Sequence, residues 1–242
     1  MSESPLPKQR FREMLSPALK FWLKRMIFGA RGAALRVLAR EHQPKDEARP
    51  EWAARRKWAT QVAVFDDHML TPDRDAGSLR MLFILRALGE WCHPVFITTS
   101  KLVLPEQERL LWREGVETAS ALDFSRLLKE RRFRAAILSR PTVAETLLKP
   151  IRRRDARVKI IFDTVDVHFL RLAREAEVTG DRRLARKAER YRKIETRLAR
   201  ASDLVWFASS TDRDAMEIEA PGIASAVVPT IHAPRDRGLP FH

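Results

Sequence analysis

The hexapeptide Asp163-Thr164-Val165-Asp166-Val167-His168 places two carboxylates, a hydroxyl and an imidazole directly after the apolar run 158–162. Carboxylates accept hydrogen bonds from ligand hydroxyls, and an imidazole exchanges protons near neutrality. The set therefore suits a site where a hydroxyl is activated or a proton is passed. His168 is the stronger candidate for chemistry, with Asp166 beside it, whereas Asp163 is better suited to holding the turn through backbone N–H groups. Arg171 follows within reach of the same place, and Arg174-Glu175-Ala176-Glu177 adds charges that surface pairing on a helix explains at least as well.

A second polar segment runs from Asp66-Asp67-His68 to Thr71-Pro72-Asp73-Arg74-Asp75-Ala76-Gly77-Ser78 and leads into a helix. Small residues at a strand-to-helix turn let a ligand approach the backbone and turn free N–H groups toward phosphate. Asp75, Gly77 and Ser78 are candidates for an anion- or sugar-binding loop, with Asp73, Arg74 and Arg80 as polar and charged partners. The competing reading makes Asp75 a helix cap and Gly77 a close-packing position. A third segment, Ser139-Arg140-Pro141-Thr142, offers Arg140 either as a bidentate phosphate or carboxylate ligand or as a partner for a nearby aspartate.

These segments need a frame that brings them together. Apolar runs at 62–65, 94–98, 135–138, 158–162, 204–208 and 224–228 read as strands, with Val116 opening a further short one. Between them, 76–91, 105–113, 122–131, 143–153, 181–200 and 212–219 read as helices, the fifth with an apolar stripe at Leu184, Ala188, Tyr191, Ile194 and Leu198. Continuous apolar strands alternating with helices predict an α/β fold: a Rossmann-like, mostly parallel sheet with helices on both faces. Such a sheet binds ligands beyond the carboxyl ends of its strands, where all three polar segments fall.

The 242 residues are enough for one substantial core with an appendage. The division expected is a basic helical extension and linker, 1–57, followed by the α/β domain, 58–242. The net charge is +14, and residues 1–60 hold 14 Lys/Arg against 6 Asp/Glu, so the excess sits mainly ahead of the domain. Residues 13–40 interleave Leu19, Trp22, Leu23, Met26, Ile27 and Phe28 with lysines and arginines, a basic amphipathic pattern suited to an anionic membrane surface or to a protein partner. The single Cys92 rules out an intrachain disulfide and suits a reducing, cytoplasmic setting. No metal set stands out, since the histidines lack ligand-spaced His/Cys partners and the acids lack the calcium-loop pattern. The nucleophile-elbow glycines of a serine hydrolase are absent, and the basic runs are too short to favour nucleic acid.

Taken in order, Thr71–Arg80, Leu138-Ser-Arg-Pro141, Phe162–Arg171, Arg174-Glu-Ala-Glu177 and Pro229-Thr-Ile-His232 make residues 60–242 resemble the N-terminal half of a family-4 glycosyltransferase of the GT-B class, with Thr230 standing where relatives commonly carry Asn. The resemblance implies the acceptor-side domain of a retaining, nucleotide-sugar-dependent enzyme. The donor would be a co-substrate held by a second domain, and the acceptor a glycan or lipid-linked glycan. It further implies that the Asp75–Gly77 loop approaches the donor phosphates, that His168 reaches the reacting sugar, that Arg140 and Arg171 line the cleft, and that protein groups rather than a metal neutralise the leaving diphosphate. A donor domain would need on the order of 100–200 further residues. The chain is thus expected to be one half of an enzyme, inactive alone; the competing readings are a noncatalytic carbohydrate- or nucleotide-binding protein on the same fold and a basic nucleic-acid- or membrane-associated scaffold.

Overall fold

The structure, a computed structural model, describes residues 60–100, 103–120 and 124–230. The expected basic extension at 13–40, the linker to 57 and the Ile231-His232 end of the last motif lie outside the described residues.

Seven strands form one all-parallel sheet: β1 (Gln61–Asp66), β2 (His93–Thr98), β3 (Glu117–Ser120), β4 (Phe133–Ser139), β5 (Lys159–Asp163), β6 (Leu204–Phe207) and β7 (Ser225–Val227). Their order across the sheet is β3-β2-β1-β4-β5-β6-β7, every neighbouring pair parallel. The helices are α1 (Ala76–Gly89), α2 (Pro105–Arg113), α3 (Phe124–Glu130), α4 (Pro141–Arg154), α5 (His168–Thr179), α6 (Arg182–Ala201) and α7 (Ser210–Glu219). The fold is the Rossmann-like α/β architecture that the alternation of strands and helices predicts.

Both faces of the sheet are covered, which is why the strands carry apolar residues on both sides, with Arg134 and Lys159 exposed only near the starts of β4 and β5. Val62, Val64, Phe96, Ile137, Ile161 and Trp206 pack on one side with α1 and with Leu111 of α2. Ala63, Phe65, Ile97, Leu138, Phe162 and Phe207 pack on the other with side chains of α3, α4, α6 and α7. The period-two geometry of a strand splits each apolar run between two cores. Cys92 is part of the first core, and burial pushes its thiol up to about 12, which makes it packing material.

Two boundaries differ from expectation in an informative way. α4 begins at Pro141, two residues early, because proline fits the first turn of a helix, where its missing N–H costs nothing. α5 is foreseen only as a helix surface around 174–177, with no start assigned. Its N-cap residue is Val167, which offers no capping side chain, so the usual start signal is missing from the local sequence.

Candidate functional site

The order of strands reverses between β1 and β4, one chain path leading outward to β2 and β3 and the other to β5, β6 and β7. The loops at the carboxyl ends of strands on either side of such a point separate and leave a crevice. Asp66-Asp67-His68 leaves β1 there, and Arg140 leaves β4.

These residues form a charge cluster. Arg140 Nε donates to Asp66 Oδ1 at 2.9 Å and lies 3.1 Å from Asp67 Oδ1. His68 sets Nδ1 against Asp67 Oδ1 at 2.5 Å, while its Nε2 is 3.6 Å from Asp75 Oδ2 and 3.5 Å from Arg140 Nη2. Burial pushes Asp66 up to about 7 against the pull of Arg140, so this carboxyl titrates near neutrality. The bond from His68 holds Asp67 below its ordinary value, and the same bond raises His68. Of the two roles open to Arg140, pairing with aspartates is the one the fold realises.

Asp66, Asp67 and His68 bring three potential metal-ligating atoms within 4.8 Å of one another. A metal was not foreseen, and the geometry gives the position between the two carboxylates to the Arg140 guanidinium. A divalent ion there would have to displace Arg140.

The α1 loop departs from its expected role. Asp75 caps the helix, its carboxylate accepting from the N–H groups of Gly77 at 3.1 Å and Ser78 at 2.9 Å and from the Ser78 hydroxyl at 2.7 Å. The donors expected to face a donor phosphate are thus taken by the protein's own carboxylate, and Ser78 is buried. Gly77 makes room for the neighbouring loop: a Cβ there would stand 3.1 Å from Val165 Cγ1. Arg80 is a plain correction. It is 1 % exposed, with Nη1 2.8 and 2.9 Å from the two oxygens of buried Asp163 and Nε donating to the Val228 carbonyl at 2.6 Å. It is a core ion pair tying α1 to β5, not a ligand for phosphate. Asp73 and Arg74 form an exposed ion pair at 3.4 Å, outside the charge cluster.

The β5–α5 loop carries the second set of candidates. Asp163 is structural, but its carboxylate accepts from Arg80 and from the Ser139 hydroxyl, where the sequence points to backbone N–H groups of the turn. Val165 has φ 63°, and Asp166 N–H donates to the Thr164 carbonyl at 2.7 Å, which closes a tight three-residue turn in the left-handed region. Arg140 also has positive φ, 74°, at the end of the adjacent strand. For residues with a Cβ such backbone costs about 1–3 kcal/mol each and persists where the surroundings over-determine it. Here the Arg140 N–H bonds the Asp163 carbonyl at 2.9 Å, locking the two strained loops to each other.

His168 opens α5 with Nδ1 3.2 Å from Glu195 Oε1 and 3.5 Å from Asp166 Oδ1. Its ring stacks on Tyr191 with centroids 5.3 Å apart. Burial alone would lower its pKa, but the bond to Glu195 and the charge of Asp166 outweigh that and raise it. Arg171 donates to Asp166 at 2.8 Å, so Asp166 is shared between a cation and an imidazole. With Nδ1 facing carboxylates, Nε2 is the nitrogen left to meet a ligand. His68 likewise turns Nδ1 to a carboxylate, Asp67, but its Nε2 lies against Asp75 and Arg140 within the cluster.

The carboxyl edge therefore carries two carboxylate-oriented histidines, one on each side of Arg140. The sequence pointed to His168, Asp166, Arg140 and Arg171, and the fold brings Asp166, His168 and Arg171 into direct contact. It did not single out His68, Asp66, Asp67 or Glu195. Asp66-Asp67-His68 had a legible signal, a polar triplet ending an apolar strand, whereas Glu195 lies mid-helix and had none. Comparison with models of known protein families and with curated proteins finds no match. Among the described residues no helix is long and apolar enough to cross a membrane.

Proposed function

We propose that this chain forms the acceptor-side wall of a nucleotide-sugar-dependent glycosyltransferase resembling family 4 of the GT-B class. The observation that carries the reading is the His168 constellation: an imidazole oriented through Nδ1 by Glu195 and Asp166, at the carboxyl edge of a parallel sheet and beside the crevice where strand order reverses. Carboxylates, an arginine and two histidines are groups that recognise hydroxyls. The N–H groups of Gly77 and Ser78 are already engaged, so this domain favours a hydroxyl-rich ligand over a phosphate. That matches an acceptor saccharide, free or lipid-linked, with the donor diphosphate held by a separate nucleotide-binding domain. In this reading His168 Nε2 contacts the reacting sugar, Asp66, Asp67 and Arg140 bind acceptor hydroxyls, and the work is done on the cytoplasmic side, at or near a membrane. No metal takes part.

Saturation-transfer NMR on the full chain tests the proposal with soluble oligosaccharides and nucleotide-sugars as probes. Saccharide signals that weaken at least tenfold in His168→Ala and Arg140→Ala are expected, together with transfer of labelled sugar only when a nucleotide-sugar-binding domain is supplied. A chain that binds nucleotides but no saccharide overturns the reading. Transfer by the 242-residue chain alone overturns the division of labour.

A further inference from the structure

The outer face of α6 carries a row of cations that the candidate site does not use. Arg182, Arg183, Arg186, Lys187 and Arg190 are all exposed, and their side chains form no ion pair among the described residues. At 3.6 residues per turn they fall within roughly 140° of arc, opposite the buried Ala188, Glu195 and Ala199. Farther along the same face, Lys193 and Arg197 are engaged by Glu189 and Glu145.

Ordinary helix physics disfavours this row. Arg182 and Arg186, Arg183 and Lys187, and Arg186 and Arg190 are like charges four residues apart, an arrangement that destabilises a helix. They crowd the amino-terminal half of α6, where the helix dipole repels cations and the acid at the helix start, Asp181, is the N-cap bonded to the Arg183 N–H. Glu189, the acid within the stretch, is committed to Arg192 and Lys193, so the five cations stand unmatched. An unmatched row placed where it strains its own helix fits a surface that meets a polyanion.

Its position narrows the partner. Glu195 meets the start of α5 at the carboxyl end of β5, and Asp203 N–H bonds the Ile160 carbonyl at the other end of that strand. Residues 195–201 thus span the sheet, and 182–194 continue past its carboxyl edge as about 20 Å of helix. The α5–α6 hairpin rises beside His168, and near its turn Val178 is 87 % exposed. Cations near an exposed aliphatic side chain such as Val178 are the composition of a surface that rests on lipid headgroups. No aromatic side chain stands in the row to stack bases, as binding to a single nucleic-acid strand would favour.

We propose that the exposed face of the α5–α6 hairpin docks on an anionic phospholipid bilayer, with the site edge of the sheet turned toward the membrane. This contact is separate from residues 13–40 and does not depend on sugar transfer. The test is flotation of the full chain with phosphatidylcholine vesicles, with and without about 30 % phosphatidylglycerol, no nucleotide-sugar being present. The chain is expected to float with the anionic vesicles only and to be released by salt. Neutralising the row (Arg182→Gln, Arg183→Gln, Arg186→Gln, Lys187→Gln, Arg190→Gln) is expected to weaken vesicle binding about tenfold or more, since each cation near such a surface adds to binding. The variant Glu177→Lys, which adds a cation near the turn without touching the core, is expected to tighten it and serves if the fivefold variant fails to fold. Unchanged binding in both variants assigns any flotation to another segment and overturns the proposal. So does binding to duplex DNA of the full chain in preference to anionic vesicles.

Discussion

Glu195 holds His168 at two points. Its Oε1 accepts the His168 backbone N–H at 3.0 Å and lies 3.2 Å from the imidazole Nδ1, while its Oε2 accepts the N–H of Phe169 at 3.0 Å. A fully buried carboxylate from α6 thus does the work of the missing N-cap of α5 and orients the candidate catalytic ring in the same act. Glu195→Ala leaves two backbone donors unpaired and is expected to cost about 2–4 kcal/mol in urea unfolding. His168 should fall back toward or below its ordinary pKa in an NMR titration. Because the folded value is raised, the stability linked to His168 is present below the ordinary histidine pKa and is lost as pH rises through the folded one. An unmoved His168 titration in the variant would leave Asp166 as the cause.

His168 itself separates chemistry from positioning. In an enzyme reconstituted with a donor-binding domain, His168→Ala is expected to lower kcat by about 10²–10⁴ if Nε2 handles a proton. A rise in acceptor KM at unchanged kcat would make the residue a binding group only.

Asp66 gives the stability profile a slope of the same sign as His168, at lower pH. Burial raises its pKa from 3.8 to about 7, so the fold disfavours the ionised form. Stability should decline as pH rises from about 4 to about 7 and level off above, other groups being equal. Asp66→Asn removes that slope: the variant should gain on the wild type between pH 4 and pH 8 by roughly 2–4 kcal/mol, read as diverging urea midpoints. A constant gap across that range would refute the assignment.

Glu117 works in the acid direction. Burial raises it, but bonds from His93 at 2.9 Å and from Arg131 at 2.5 and 2.9 Å prevail and bring it to about 2. The stabilisation is complete above the ordinary 4.5 and disappears as pH falls toward 2. Glu117→Gln should cost about 1–3 kcal/mol at pH 7, and its deficit should vanish near pH 2.

Arg80 and Asp163 test the reassignment of Arg80 from ligand to core. Arg80→Ala strands a buried carboxylate and is expected to cost about 3–5 kcal/mol. Saccharide affinity per folded molecule should stay within twofold of the wild type. A large loss of affinity with little loss of stability would return Arg80 to the site.

The elements were legible because their signals are local. An apolar run of four to six residues is a strand when turns bound it, and consecutive apolar residues such as those at 160–162 already told that both faces of the sheet are covered. Asp75 three residues ahead of Ser78 could be read as a cap, and Pro105 as the start of α2. The polar loops after β1, β4 and β5 could be placed on one edge, since parallel strands point their carboxyl ends the same way. Their grouping could not, because it follows from strand order: nothing in the chain spells out that β1 and β4 are neighbours while β2 and β3 lie on the far side.

Pairings set by distance in space stayed hidden for the same reason. Arg80 and Asp163 are 83 residues apart, Arg140 and Asp66 are 74, and Glu195 and His168 are 27. An arginine read in sequence is equally a phosphate ligand or the partner of a buried acid. The choice rests on whether its guanidinium ends in solvent or in the core, and packing of α1 against the sheet put Arg80 in the core. α5 began without a local cap because its cap arrives from another helix. Residue type and period were enough for strands, helices and the edge that bears the chemistry. The partners that set charge, orientation and pKa at that edge came from the folded arrangement, because electrostatics depends on distance and burial, and neither is a property of the chain read one residue at a time.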